Sequence, residues 1–392
     1  MEPLQQFREE VRQWLAENCP AAMREPINPG EQFWGGRNAI FSSEDSRLWF
    51  ERMRERGWTA PEWPREYGGG GLSPAQGKVL KQEMQAINAR APIFNLGIWM
   101  LGPAILEYGS EQQKHRFVAA TLRGEIRWCQ GYSEPGAGSD LAKLQCKAED
   151  RGDHFLVNGS KIWTTKADHC DWIFCLVRTG PPTSKQQGIS FLLIDMETEG
   201  ISTSPISLIS GESDFCTTFF DNVRVPRENL LGELNQGWSV AKFLLGHERK
   251  LMSEMGADIP SVEPASLPME YANGKMADPE LRRQRVEYDM LMHSLRLTHA
   301  RVLDEHVAGL QSHLPLIMKY LGTEAEKVKG ELLLAMLGSA GLGWEGEEFS
   351  VSQRKALRQW AMSKTLTIAG GTSEIQLNII AKRALQLPQQ PT

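Results

Sequence analysis

Apolar residues recur at helical spacing through the first third of the chain. Leu4, Phe7, Val11 and Leu15 fall on one face of a helix that Pro3 is well placed to open. Asp45–Arg56, Ser73–Asn88, Pro103–Tyr108 and Gln112–Leu122 continue the pattern. Between the second and third of these helices, Trp58–Gly71 is rich in Pro and Gly and predicts a loop. Its glycine run, Gly68 to Gly71, lacks the GxxxxGK[ST] of a phosphate loop and reads as a turn. From about 126 to 235 the period shortens. His154–Thr165, Trp172–Thr179, Ile189–Met196 and Cys216–Val225 are β-branched and aromatic runs broken by Gly, Asn, Asp and Pro. They predict a compact antiparallel β-domain, a sandwich or a small barrel. After Gly237 the helical pattern returns. Met252–Pro279, rich in Gly, Pro, Ser and acidic residues, interrupts it as a long loop with room for one short helix. Helices are predicted at about 280–312, 314–337, 350–368 and 371–385, before a frayed tail, Leu387–Thr392. The fold class is α+β: an N-terminal helical domain (1–125), a central antiparallel β-domain (126–235) and a C-terminal four-helix bundle (236–392).

Composition narrows the function classes. A chain of 392 residues exceeds one compact core. With 41% hydrophobic and 23% charged residues it has the make-up of a soluble enzyme, and a net charge of -6 argues against a nucleic-acid binder. No apolar stretch approaches the roughly 18 residues of a membrane span. The N-terminal segment, Met1–Trp14, is charged and amphipathic, unlike a secretory signal. Cys19, Cys129, Cys146, Cys170, Cys175 and Cys216 show no CxxC spacing and read as reduced thiols of a cytoplasmic protein. The histidines show no HExxH, so no metal is expected.

Three segments carry candidate chemistry. In Ser133-Glu134-Pro135-Gly136-Ala137-Gly138-Ser139-Asp140, two nearby glycines let backbone N–H groups approach an anion, and Ser133 and Ser139 add hydroxyl donors. A plain Gly-rich turn at a domain entry remains open for this segment taken alone. Trp163 and Thr165 alternate on a strand and so share a face, although an isolated strand Trp is usually core. Val240–Arg249 is helical, with Phe243, Leu244, Gly246, His247 and Glu248 along one broad stripe. Glu248 and Arg249 then point about 100° apart, so they need not pair with each other. A glutamate on a helix is ordinarily solvated or salt-bridged.

Several segments, in order along the chain, resemble motifs of the acyl-CoA dehydrogenase family. Ile105–Lys114 is similar to its YG(S/T)xxQK junction. Trp128-Cys-Gln-Gly-Tyr-Ser-Glu-Pro-Gly-Ala-Gly-Ser-Asp140 is similar to its flavin segment, and Asn158–Thr165 to its second flavin strand. Val223–Gly232 resembles the VPxxNxLG run that leaves the β-domain, and Ile368-Ala-Gly-Gly-Thr-Ser-Glu-Ile-Gln376 the C-terminal signature. The resemblance implies FAD. It places Gln130, Gly131, Tyr132 and Ser133 at the flavin pyrimidine edge, with Gln130 and Gly131 departing from the more usual Tyr-Cys. Gly138 and Ser139 fall near the FAD pyrophosphate or the CoA. Trp163 becomes a wall for the isoalloxazine, Thr164 and Thr165 donors toward flavin N5, and Thr372 and Glu374 contacts to the ADP half.

Most relatives carry their catalytic base as the Glu of the C-terminal signature. Here that position is Gly370, which has no side chain and instead leaves space for the acyl group. A minority carries the base just before an Arg on a helix of the C-terminal domain, and Glu248-Arg249 looks like that arrangement. Glu248 is then expected to remove the α proton, with Arg249 supporting the site or the CoA. An ordinary Glu titrates near about 4.3, and burial that raises this value makes it a better base.

The RxxFG segment that holds the adenine end of FAD in many relatives is absent from Met276–Arg285, and Leu334–Gly341 is only the nearest match to QxxGGxG. The resemblance therefore implies an FAD-dependent dehydrogenase that makes a trans-2-enoyl-CoA from an acyl-CoA and passes electrons to an electron-transfer flavoprotein. It would be a homotetramer, or a hetero-oligomer with a related chain. Two rival readings stand beside it: an FAD- or CoA-binding subunit without turnover of its own, and a relative whose flavin reacts with O2 as an oxidase or monooxygenase.

Overall fold

Capping residues and apolar stripes set the first helices where the periodicity puts them. The computed structural model describes residues 3–27, 29–255, 263–264, 271–272, 275–310 and 312–388, and the side chains of 248–255 lie outside the described residues. Helix α1 (Pro3–Asn18) buries Val11 and Leu15. Ser43 caps α2 (Glu44–Glu55), its side chain accepting from Ser46 N. A reciprocal Ser73–Gln76 capping box with Pro in the first turn opens α3 (Pro74–Ala86). These helices close over Val11, Leu15, Trp49, Met53, Trp58 and Leu80. A π-turn, Gly97–Leu101, leads into α4 (Gly102–Tyr108). The helix expected over 112–122 runs as α5 (Glu111–Gln113), a π-turn at Lys114–Val118, and α6 (Ala119–Leu122).

Among the described residues seven strands form one sheet: β1 (Trp128–Gly131), β2 (Lys147–Asp150), β3 (His154–Thr165), β4 (Trp172–Arg178), β5 (Ile189–Asp195), β6 (Ile201–Ile206) and β7 (Phe215–Pro226). The order is β1-β4-β2-β3-β7-β6, with β5 on β4. The pairs β2–β3, β3–β7, β4–β5 and β6–β7 are antiparallel, as the short alternating runs predict. Strand β1 instead runs parallel to β4, Gly131 opposite Cys175, and β2 meets β4 in parallel at Lys147–Arg178. A parallel neighbour needs a long connection, and the chain between β1 and β4 is long enough to hold β2 and β3.

The central strands are buried on both faces. Trp172, Phe174, Leu176, Ile189, Phe191 and Leu193 enter one core, with α4 and with Trp128. The alternate residues, Ile173, Cys175, Val177, Leu192 and Ile194, enter a second core with Ala148, Phe155, Val157, Cys216, Val223 and Val225. This second core takes residues from β2, β3, β4, β5 and β7, so the sheet curls around its own interior. Helix α7 (Gly237–Met255) lays Val240, Ala241 and Leu244 on the first core.

The chain divides into two compact units: Met1–Ile206 with Asp214–Glu248, and Ser207–Ser213 with Arg249–Thr392. The second holds α8 (Pro279–Val307), α9 (Pro315–Leu337), α10 (Val351–Leu366) and α11 (Ser373–Ile379), the last continued by a π-turn at Ile380–Ala384. Helix α9 is central and meets the other three. Of the long loop expected at 252–279, Met252–Met255 still belong to α7, and Tyr271–Ala272 pairs antiparallel with Lys275–Met276. Residues 256–262, 265–270 and 273–274 lie outside the described residues. Among the described residues no helix is long and apolar enough to cross a membrane.

Candidate functional site

In the first unit the segment after β1 and the end of β3 are joined by their backbones: Ile162 N donates to Ser133 O at 2.9 Å. Beneath them lies an ion pair that sequence reasoning missed. Lys161 is 0% exposed, and its Nζ donates to Glu134 Oε1 at 2.8 Å and to Tyr132 O at 3.1 Å. The Glu134 carboxylate also accepts from Gln145 N at 2.6 Å and Cys146 N at 2.9 Å. One buried carboxylate therefore closes the loop 134–146 at both ends. The available signal was the inward alternation of β3, which passes from Phe155 and Val157 to Lys161 across an irregularity at Gly159. A lysine at such a position requires a buried acceptor.

The positions at the start of this segment divide by depth. Tyr132 is buried, its ring edge-on to Phe174 and Phe191. Gly131 is buried too, and a Cβ there would lie 2.6 Å from Ile173 Cδ1, so the buried Ile173 would have to shift to admit a side chain. Replacing Gly131 by Ala is accordingly expected to destabilise the β-domain by about 1–3 kcal/mol, read as a lower urea midpoint. Gln130 and Ser133 are half-buried, and Gly138 and Ser139 are exposed. Around Gly136 and Gly138 a Cβ would meet nothing within 4 Å. The glycine loop thus has open space above its backbone.

The end of β3 is strained. Trp163 has φ 61 and Lys166 φ 46, both non-glycine residues in the left-handed region, where each costs about 1–3 kcal/mol. The β3–β7 register slips between Lys161 and Thr164. Phe215 meets the Trp163 ring edge-on at 6.2 Å, and Lys166 Nζ pairs with Asp214 at 2.5 Å. The result is an indole left 51% exposed on a fixed backbone, with Thr165 half-buried beside it. Thr164 is buried, and its hydroxyl has no hydrogen-bond partner among the described residues. Its side chain faces inward, which leaves its backbone for any outer contact.

Helix α7 carries Glu248 and Arg249, whose side chains lie outside the described residues. Val240 and Leu244 are buried one turn apart, and Glu248 is the next position of that series. Phe243, between them, meets Tyr108 edge-on at 5.5 Å and His247 at 4.7 Å.

The C-terminal signature forms its own group in the second unit. Gly370 has φ 64, and its carbonyl accepts from Gln376 Nε2 at 3.1 Å. Lys319 of α9 donates to Gly371 O at 2.7 Å, and Ser373 Oγ donates to Glu324 Oε1 at 3.1 Å. Thr372 caps α11 through its hydroxyl, which accepts from Ile375 N at 3.3 Å. The Glu374 carboxyl is held below the usual carboxylate range by its own N–H and by the Thr372 hydroxyl. Gly370, Thr372 and Glu374 are therefore gathered on one rigid turn. Among the described residues no group of three or more His, Cys, Asp or Glu is placed to hold a metal ion.

Comparison with known proteins covers the same segments. The family models for the acyl-CoA dehydrogenase N-terminal, middle and C-terminal domains match residues 1–125, 129–223 and 235–385. Acyl-CoA dehydrogenase IpdE1 of Mycolicibacterium smegmatis is 34% identical over 99% of this chain and 98% of its own. A solved "Tcur3481-Tcur3483 steroid ACAD" is similar with a TM-score of 0.75 and 30% identity, covering 100% of this chain and 99% of the other. The ChsE4-ChsE5 complex from Mycobacterium tuberculosis follows with a TM-score of 0.73 and 28% identity, covering 100% and 99%. Helices, curled sheet and helical unit, the glycine loop beside an exposed strand Trp, and whole-length similarity agree with one another: the chain belongs to the acyl-CoA dehydrogenases, an oxidoreductase family.

Proposed function

We propose that this protein removes hydrogen from Cα and Cβ of a bulky, ring-bearing acyl-CoA thioester, with FAD as cofactor and Glu248 as base. The observation that carries the reading is Gly370. At the family's usual base position the backbone is left-handed and bears no side chain. The proton must go elsewhere, since no carboxylate stands at this position. Similarity to a steroid acyl-CoA dehydrogenase supports a fused-ring acyl group.

The β-domain residues fit the cofactor. The exposed indole of Trp163 offers a flat wall, Ser133 and Thr165 offer donors beside it, and the open loop Gly136–Ser139 offers backbone N–H groups to a phosphate. When bound, FAD supplies the hydride acceptor. Glu248 takes the α proton, and Arg249 and Ser139 hold the CoA. Thr372 and Glu374 contact the adenosine half, the carboxylate toward a hydroxyl rather than toward phosphate. Electrons leave to an electron-transfer flavoprotein.

The test is anaerobic bleaching of the flavin-loaded protein by a panel of acyl-CoAs. Bulky-ring thioesters are expected to bleach it, and straight-chain ones to do so poorly. In Gly370→Ala, bleaching by ring substrates is expected to fall about tenfold relative to short straight chains, since one added methyl in a filled pocket costs about 1–3 kcal/mol. An equal fall for all substrates would instead indicate backbone strain at this left-handed position and would remove the pocket role.

A second reading has its own support. Both structural relatives are described as pairs of different chains, and Met276–Arg285 lacks the adenine-holding motif. A colourless protein that becomes yellow and active only with a second, related chain would establish it.

A further inference from the structure

Two successive glycines, Gly370 and Gly371, both stand in the left-handed region, with φ 64 and φ 94. Glycine has the most backbone freedom to lose, so a Gly-Gly turn keeps one shape only where its peptides are held from outside. In the second unit each of the two carbonyls has its own side-chain donor. Gln376, buried in α11, holds Gly370 O at 3.1 Å, and Lys319 of α9 holds Gly371 O at 2.7 Å. The Gln376 bond is local: it comes from the helix that the turn itself opens, and would move with it. The Lys319 bond spans 52 positions of chain and ties the turn to the central helix of the unit.

A lysine here is costly. Lys319 is half-buried, and burial pulls its ammonium below the usual lysine range. Its described hydrogen bond runs to a carbonyl and not to a carboxylate. Glu324, the acid that attracts it, is engaged by Lys327 at 2.9 Å and by Ser373 Oγ at 3.1 Å. The contact with Ser373 is a second tie from α9 to the same turn. Lys319 holds residue 371 and Glu324 holds residue 373, so the two bracket Thr372. A charged donor gives the stronger bond, and it falls on the more flexible side of that bracket.

We propose that Lys319 is a positioning residue for the cofactor: by holding Gly371 O it fixes the Gly-Gly turn in advance, so that Thr372 and Glu374 meet the adenosine half of FAD without the turn first having to be ordered. Those two contacts rest on the function proposed above; the fixing of the turn does not. A segment ordered beforehand binds more tightly than one that must be ordered on binding. Lys319 acts through the turn and needs no contact of its own with the cofactor.

The experiment compares the full-length protein with Lys319→Met and Lys319→Arg. Amide hydrogen exchange is read by mass spectrometry in excess FAD, and flavin release is followed on dilution. Lys319→Met should exchange faster across 367–376, where Ser373 N donates to Thr367 O and Gln376 N to Thr372 O, while 325–335 of α9 keeps its protection. Its flavin release should quicken about tenfold, the size expected for losing a hydrogen bond from a charged donor. Lys319→Arg keeps the charge and the reach and should restore both. Thr323→Val removes a hydroxyl bonded back to its own helix at Lys319 O, and should alter neither. If Lys319→Met does not fold, Lys319→Gln, polar and one bond shorter, takes its place. Unchanged exchange across 367–376 would overturn the proposal whatever the flavin does. Faster exchange with unchanged flavin release would overturn it too, since Lys319 would then serve the fold and not the cofactor. A protein that takes up no FAD would overturn the proposed function and the cofactor role of Lys319 together, a failure told apart from the other two by the absence of any flavin to release.

Discussion

Glu248→Gln is expected to leave folding and FAD content intact and to slow anaerobic bleaching by acyl-CoA about 10³-fold, within the range for losing a positioned general base. That loss corresponds to about 4 kcal/mol at the barrier. Glutamine keeps the shape of the side chain and cannot take a proton, so binding of the acyl-CoA should change little. The size of the effect follows from what the C-terminal signature lacks. Gly370 has no side chain, and the carboxylate four positions on, Glu374, is engaged by the first turn of α11 and held below its usual range. A carboxylate stabilised in its charged form is a weaker base. Helix α7 supports the assignment from the other side, because Val240 and Leu244 are buried and Glu248 continues their spacing. The measurement is single-turnover flavin absorbance under argon, with flavin content determined separately. Bleaching within a few-fold of the unsubstituted protein would show that Glu248 is not the base.

The amino-acid pattern announced the elements better than their irregularities. Helices capped by Ser43, Ser73 and Ser350 start where a hydroxyl precedes an apolar stripe, because a cap is a local interaction. The buried strands β4 and β5 were legible as apolar runs. Their parallel neighbour β1 was not, since its partner is chosen by distant packing. The candidate site shows the same division. Motif residues such as Ser133, Ser139 and Trp163 could be picked out from short segments, and so could the missing side chain at Gly370. The left-handed backbone at Trp163 and Lys166 could not, because it is imposed by a slip between β3 and β7 and by Asp214. Asp171 was equally hidden. It binds loops from two separate stretches of chain through the backbone N–H groups of Arg37 and Arg127, and such groups leave no trace in side-chain spacing.

Lys161→Met is expected to be the most destabilising single change in the β-domain, by about 3–5 kcal/mol, the range for breaking a buried ion pair from one side. The thioether fills most of the space of the lysine stem, so the loss comes from charge and not from a cavity. Glu134 would keep its two backbone N–H donors, from Gln145 and Cys146, but lose its only described ion-pair partner in a site that is 9% exposed. Tyr132 O would lose a donor at the same time. The glycine loop 134–146 should then detach from β3, and flavin content should fall with it. Adding Glu134→Gln separates charge from packing. The neutral amide can no longer leave an unpaired charge, so the double variant should recover part of the lost stability. Loop order depends on the carboxylate receiving two N–H bonds, and an amide oxygen accepts them more weakly, so flavin retention should recover less than stability does. Urea unfolding followed by tryptophan fluorescence gives the first quantity, and flavin release on dilution gives the second. If Lys161→Met unfolds at the same urea concentration as the unsubstituted protein, the ion pair contributes nothing net and the loop is held by its backbone bonds alone. If the double variant is less stable than Lys161→Met, the glutamate is needed for its hydrogen bonds more than it suffers from its lost partner.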